Sequence, residues 1–171
     1  MIHPIVLFGD PVLERETEKV TVFDTPELRQ LLEDMFESMY AARGVGLAAP
    51  QIGIAKRIAV IDLSVGSDAE QRLVLINPEI IAREGMQTGE EGCLSLPGFR
   101  EQVSRPTKVT VRAHNALGES FETTGDGLLA RALLHETDHL HGRLYIQHVS
   151  ALKRDLIRRK VKKLVKAGEW N

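Results

Sequence analysis

Of 171 residues only one, Cys93, is a cysteine, which excludes an intramolecular disulfide and suits a reducing compartment. That leaves the lone thiol as a buried apolar residue, a nucleophile or a metal ligand. No run of about 18 apolar residues occurs, so no membrane-spanning helix is predicted. The stretch from Met1 to Asp10 holds no basic lead followed by an apolar run and a small-residue cleavage site, and it is not an Arg-rich transit peptide. A cytoplasmic address is the expectation. Aromatic residues make up only 5%, and neither an internal repeat nor a Pro/Ser-rich tract divides the chain. One domain over residues 1–171 is therefore expected, of a size that buries roughly two-thirds of the surface its unfolded form exposes.

What the chain does have is an uneven charge. The formal net value of −2 conceals an acidic body, with 14 Lys and Arg against 22 Asp and Glu over residues 1–149. Residues 150–166 then carry Lys153, Arg154, Arg158, Arg159, Lys160, Lys162, Lys163 and Lys166 against Asp155 alone, a local charge of +7. A patch of that sign attracts polyanions, although a merely solvated helix face would look the same.

Hydrophobic spacing predicts three helices. Thr25 caps the first, Pro26 takes its opening position, and Leu28, Leu31, Leu32, Met35, Phe36 and Met39 recur at helical intervals to about Ala42. Asp126 is placed to cap the second, which is apolar on nearly every face through Leu128, Leu129, Ala130, Ala132, Leu133, Leu134 and Leu140, and which Gly142 ends. Such a helix belongs at the centre of a fold. The third, 151–166, sets Leu152, Leu156, Ile157, Val161, Leu164 and Val165 against the basic residues. Between the helices, β-rich stretches run over 57–63, over 72–81 with a break at Asn77-Pro78, and through a hairpin over 108–114 and 120–123. The prediction is an α+β fold, with antiparallel sheets packed around the central helix.

That central helix carries His135-Glu136-Thr137-Asp138-His139. Residues four apart share a helix face, so His135 and His139 can offer ring nitrogens to one ion, while Glu136, about 100° round, can reach a water on it without having to ligate. Two histidines and an acid inside a buried helix are costly unless they bind something. Satisfied polar residues near a helix C-terminus are the plainer alternative. A catalytic divalent metal usually takes three protein ligands and keeps one position open, and Cys93, in the Gly- and Pro-bounded segment Glu90 to Gly98, is the candidate third.

Three segments, Gly44-Val45-Gly46-Leu47-Ala48-Ala49-Pro50-Gln51, Glu91-Gly92-Cys93-Leu94-Ser95 and His135-Glu136-Thr137-Asp138-His139, resemble in order and spacing the motifs of the peptide deformylase family, over about Ile2 to Lys166. The resemblance implies that Cys93, His135 and His139 bind one divalent metal, Fe(II) in the cell and replaceable by zinc, nickel or cobalt. It implies hydrolysis of the N-formyl group from nascent chains that begin with formyl-methionine, with Glu136 as general base and acid and the Gln51 amide and Leu94 N–H as oxyanion donors. The loop of Gly44, Val45 and Gly46 is then expected to pair with the peptide backbone, Gly46 foremost. Leu128, Ala132 and the aliphatic part of Arg131 are candidates for a methionine pocket, though core packing explains them equally well. Glu91 is a candidate for shaping that pocket, or else a solvated loop acid. The resemblance pairs Asp138 with an arginine such as Arg105, against the competing reading of a solvated helix-surface acid.

His3, His114, His141 and His148 have no comparable spacing and are read as bystanders. Ribosome docking through the basic last helix is expected, and no DNA or membrane partner. Two departures from the common family pattern stand out: Leu134 where glutamine is frequent, and Tyr145-Ile-Gln147-His148 where Phe-x-Asp-Arg is frequent. Neither is expected to touch the metal set. A zinc endopeptidase shares the helix motif, but a cysteine ligand and the short chain argue against it. A non-catalytic ribosome-associated protein would need neither Glu136 nor Gln51.

Overall fold

Seven strands follow one another in the computed structural model, which describes residues 1–171. They are β1 (Gly46–Ala48), β2 (Ile58–Ile61), β3 (Leu73–Glu84), β4 (Gln87–Gly92), β5 (Arg100–Arg105), β6 (Lys108–His114) and β7 (Ser120–Asp126). Five form one antiparallel sheet in the order β1-β2-β3-β6-β7, and β4 and β5 make a separate ribbon. The helices are α1 (Pro26–Ala41), α2 (Gly127–Leu140) and α3 (Ala151–Lys166). The α+β class and antiparallel pairing read from the sequence are thus observed, and no helix is long and apolar enough to cross a membrane.

Alternation in β2 explains how the layers stack, because successive side chains of a strand point to opposite faces. Ile58 and Val60 pack with Leu47, Ile76 and the Leu32, Met35 and Met39 stripe of α1. Ala59 and Ile61 pack with Leu75, Val111, Leu133 and Leu140 on the α2 side. All four β2 residues are buried, so this strand is sandwiched between two helices. A third cluster joins Phe8, Leu96, Val103 and Tyr145 to Ile157 and Val161 of α3.

The ends of the helices follow local chemistry. Thr25 Oγ1 accepts the Leu28 N–H at 3.1 Å, a cap worth about 1 kcal/mol. Asp126 stands at the N-cap of α2, yet its carboxylate makes no capping bond; Gly127, left-handed at φ +53°, turns the chain into the helix instead and donates its N–H to Thr107 O. Gly142 is left-handed at φ +71° as predicted, and a Cβ there would lie 2.7 Å from the backbone of Glu14 and Arg15.

Four expectations change. The break at Asn77-Pro78 is a bulge within one continuous strand: Asn77, at φ +52°, exchanges two side-chain hydrogen bonds of 2.9 Å with the backbone of Val20. The small-residue loop after α1 contains a strand, β1, and a 3₁₀ turn over Ala49–Ile52. Leu128, at 60% exposure, shows that the first turn of α2 is open to solvent and only its later turns are central. On α3 only Ile157 and Val161 are buried, whereas Leu152, Leu156 and Val165 are exposed beside the basic residues.

Candidate metal centre

One turn of α2 brings His135 and His139 to the same face, with their Nε2 atoms 3.2 Å apart. Cys93 follows the end of β4 in a turn closed by the Leu96 N–H on Cys93 O, and its Sγ lies 3.4 Å from His139 Nε2. All three ligand atoms fall within 4.8 Å of one another. Metal–nitrogen bonds of about 2.0–2.1 Å and a metal–sulfur bond of about 2.3 Å, set tetrahedrally, need ligand separations of about 3.3–3.6 Å. The donor set therefore fits a divalent cation with one position left for another ligand. Burial pushes the Cys93 thiol up, but His139 and His135 beside it bring it down to about 5, so it is a ready thiolate ligand.

Behind the ligands lies a bracing network. His135 Nδ1 meets Glu91 Oε1 at 2.8 Å, which leaves Nε2 free to face the centre. Glu91 is on β4 and 5% exposed, not a solvated loop acid as one reading had it, and its carboxylate also accepts from Arg105 Nε and Nη2 at 2.9 Å and from Arg131 Nη1 at 2.6 Å. Burial would raise its pKa, but the Arg105 and His135 hydrogen bonds hold it well below the carboxylate range. Arg105 Nη1 reaches Asp138 Oδ2 at 2.7 Å, the pairing that the resemblance implied. His148, read as a bystander, joins this network through Nε2 at 2.9 Å from the same Asp138 oxygen. Tyr145 also departs from expectation: its ring stacks towards His135, with centroids 6.2 Å apart, so this segment does reach a candidate ligand.

Glu136 is 5% exposed and its Oε1 finds no partner, and burial raises its pKa above the usual carboxylate range. It abuts Gly46 on β1. Gln51, in the 3₁₀ turn, accepts the Ala48 N–H on Oε1 at 3.0 Å, which aims its Nε2 at Ser95 Oγ, 3.2 Å away, and at Cys93 Sγ, 3.5 Å away. The Leu94 N–H has no acceptor in the chain.

β1 is an edge strand, paired only with β2. The Asp62 N–H donates to Val45 O at 2.8 Å, while the Ala48 N–H turns to Gln51 rather than to β2. In an antiparallel ladder outward and inward residues alternate, so Gly46, like Ala48, sends its N–H and C=O away from β2. Those groups face a cavity of about 450 Å³.

Gly44, Val45, Gly46, Gln51, Glu91, Cys93, Leu94, Leu128, Arg131, Ala132, His135 and Glu136 all line this cavity, and His139 lies beneath it at 1% exposure. Arg131 donates through Nη1 to both Glu91 and Val103 O, which ties its head to β4 and β5. Sequence reasoning missed Arg43, Phe99 and Arg100 on the wall. The available signal was the Leu96-Pro97-Gly98 turn, which carries the chain from Cys93 on to Phe99.

A family model described as polypeptide deformylase matches residues 2–155. A peptide deformylase of Acidobacterium capsulatum is 61% identical over 170 residues, 99% of each chain. The crystal structure of a peptide deformylase from Legionella pneumophila superposes with a TM-score of 0.90 at 44% identity, covering 100% of this chain and 99% of that one. One from Synechococcus elongatus, solved in complex with actinonin, gives 0.86 at 41% identity, covering 92% and 86%.

Proposed function

The chain belongs to the polypeptide deformylase family, hydrolases that remove the N-terminal formyl group from nascent proteins, and on that footing we propose how its own residues carry out the reaction. The observation that carries the reading is the convergence of Cys93, His135 and His139 beside the unpartnered carboxylate of Glu136, at the open edge of β1. Those three side chains hold one divalent metal, Fe(II) in the cell, with zinc, nickel or cobalt as substitutes. When bound, the cation polarises the formyl oxygen and makes a neighbouring water more acidic.

Glu136 accepts a proton from the water as its oxygen bonds to the formyl carbon, and returns it to the amine nitrogen as the C–N bond breaks, which releases formate. A carboxylate raised by burial suits both tasks. The Gln51 Nε2 and Leu94 N–H groups donate to the oxygen that becomes negative, and loss of such a donor costs about a hundredfold or more in rate. Gly46 pairs with the backbone of the peptide, which orients it without reading most side chains. Leu128, Ala132 and the Arg131 stem receive the methionine. Glu91 acts by orienting His135 rather than by touching substrate.

We place the reaction in the cytoplasm and assign the basic face of α3 to ribosome docking, supported by the +7 stretch and its exposed residues. Binding that weakens with salt and is lost on truncation at Ser150 supports the docking; unchanged binding refutes it.

The test of the reaction is an anaerobic formate-release assay on a formyl-methionyl peptide, with metal analysis of the same sample. An internally cleavable peptide offered alongside excludes an endopeptidase. Glu136→Ala is expected to keep the metal and lose about a hundredfold to ten-thousandfold in turnover. Full activity in that variant would refute the mechanism.

A further inference from the structure

Trp170 is the chain's single tryptophan and stands past α3, outside residues 2–155 matched by the family model. Its indole N–H donates to Phe8 O at 2.9 Å. Its ring meets Phe99 edge-on, with centroids 6.1 Å apart and planes at 70°. Both contacts lead into the cavity. Phe99 lines its wall, and Phe8 donates its N–H to Ser95 O at 2.8 Å. Ser95 in turn accepts the Gln51 amide through its hydroxyl.

Phe99 sits where the backbone supplies little restraint. It precedes β5, its N–H closes a turn on Leu96 O at a long 3.3 Å, and Pro97, Gly98 and Arg100 around it are exposed. That part of the wall is flanked by exposed residues, unlike the wall at the buried Glu136, and is where residues after the methionine would lie. An aromatic edge contact supplies the restraint that a ladder of hydrogen bonds supplies elsewhere.

We propose that Trp170 is a positioning residue for substrate binding: by clasping Phe8 and Phe99 it fixes the wall of the cavity that meets the peptide beyond its formylated methionine. The inference rests on the deformylase reading and adds a specificity element that lies outside its motifs.

The experiment uses the full-length, metal-loaded chain with formyl-Met-Ala-Ser and with formyl-methionine amide. Trp170→Ala is expected to raise KM for the tripeptide about fivefold, the worth of one aromatic contact, with kcat changed by less than about twofold and a smaller rise for the amide. Trp170→Phe keeps a ring against Phe99 and should restore most of the tripeptide KM. Because no other tryptophan contributes, saturating the wild type with the product Met-Ala-Ser should shift the emission of Trp170. A folded Trp170→Ala with unchanged tripeptide KM overturns the inference. So does an emission spectrum unmoved by product, which decides the matter if Trp170→Ala does not fold. A wild type that releases no formate overturns the functional reading and this inference with it, whereas an active wild type with an indifferent Trp170→Ala overturns this inference alone.

Discussion

A methyl group on Gly46 would lie 2.5 Å from Oε2 of Glu136, so the edge strand β1 and the acid proposed to move protons are fitted directly to each other. Gly46→Ala must push the carboxylate aside. Because a displacement of about 1 Å can cost roughly a hundredfold, kcat should fall by about that factor while metal content stays that of the wild type. Steady-state kinetics with elemental analysis on one preparation checks it; retained kcat would mean that Glu136 tolerates another position.

Glu91 is the common acceptor for Arg105, Arg131 and His135. Glu91→Ala leaves the buried Arg131 without a carboxylate and Arg105 with Asp138 alone, and breaking a buried pair in that way costs about 3–5 kcal/mol. Metal affinity should fall about tenfold to a hundredfold as His135 loses its orienting partner. Urea unfolding measures the first effect and chelator competition the second. Loss of stability with unaltered affinity would confine Glu91 to holding the fold.

Local patterns carried much of this structure, and they worked where the physics was local. The i, i+4 spacing of His135 and His139 and the cap at Thr25 needed only helix geometry. The β4–β5 ribbon was not legible, because Gln87-Thr-Gly-Glu-Glu-Gly92 has the polar, glycine-bearing composition of a loop and becomes a strand only through its partner Arg100–Arg105. For the same reason Glu91 could be taken for a solvated acid: its burial depends on arginines 14 and 40 residues away. His148 meets Asp138 only because the 3₁₀ turn after α2 folds back along that helix. A reading by spacing cannot see such pairings.

Asp62 should make the fold sensitive to acid. Burial alone would raise its pKa, but hydrogen bonds from the Ser64 hydroxyl, the Tyr40 hydroxyl and the Ser64 and Gly66 N–H groups bring it down to about 2. A depressed folded-state pKa contributes stability above the unfolded value near 3.8, and that stability is lost as pH falls toward about 2. Asp62→Asn should therefore be less stable at pH 7 by about 1–3 kcal/mol, and the gap from the wild type should narrow between about pH 4 and pH 2. Urea midpoints across that range test it; a gap independent of pH would show that the carboxylate charge plays no part.

Tyr145 offers a case where removing an atom should help. Its side chain is 1% exposed within the cluster of Phe8, Leu96, Val103 and Ile157, and its hydroxyl has no hydrogen-bond partner in the chain. Burial, with Cys93 and Glu101 nearby, raises its pKa and keeps the phenol neutral, so charge repulsion is not the cost. The cost is desolvation, about 1–3 kcal/mol for an unsatisfied buried polar group. Tyr145→Phe keeps the ring against His135 and deletes only the hydroxyl, so stability should rise by about 1 kcal/mol while kcat and metal affinity hold. Chemical denaturation of the two metal-loaded proteins is the measurement. A Tyr145→Phe variant less stable than the wild type would mean that the hydroxyl is bonded in solution, and that its burial here contributes to the fold rather than costing it.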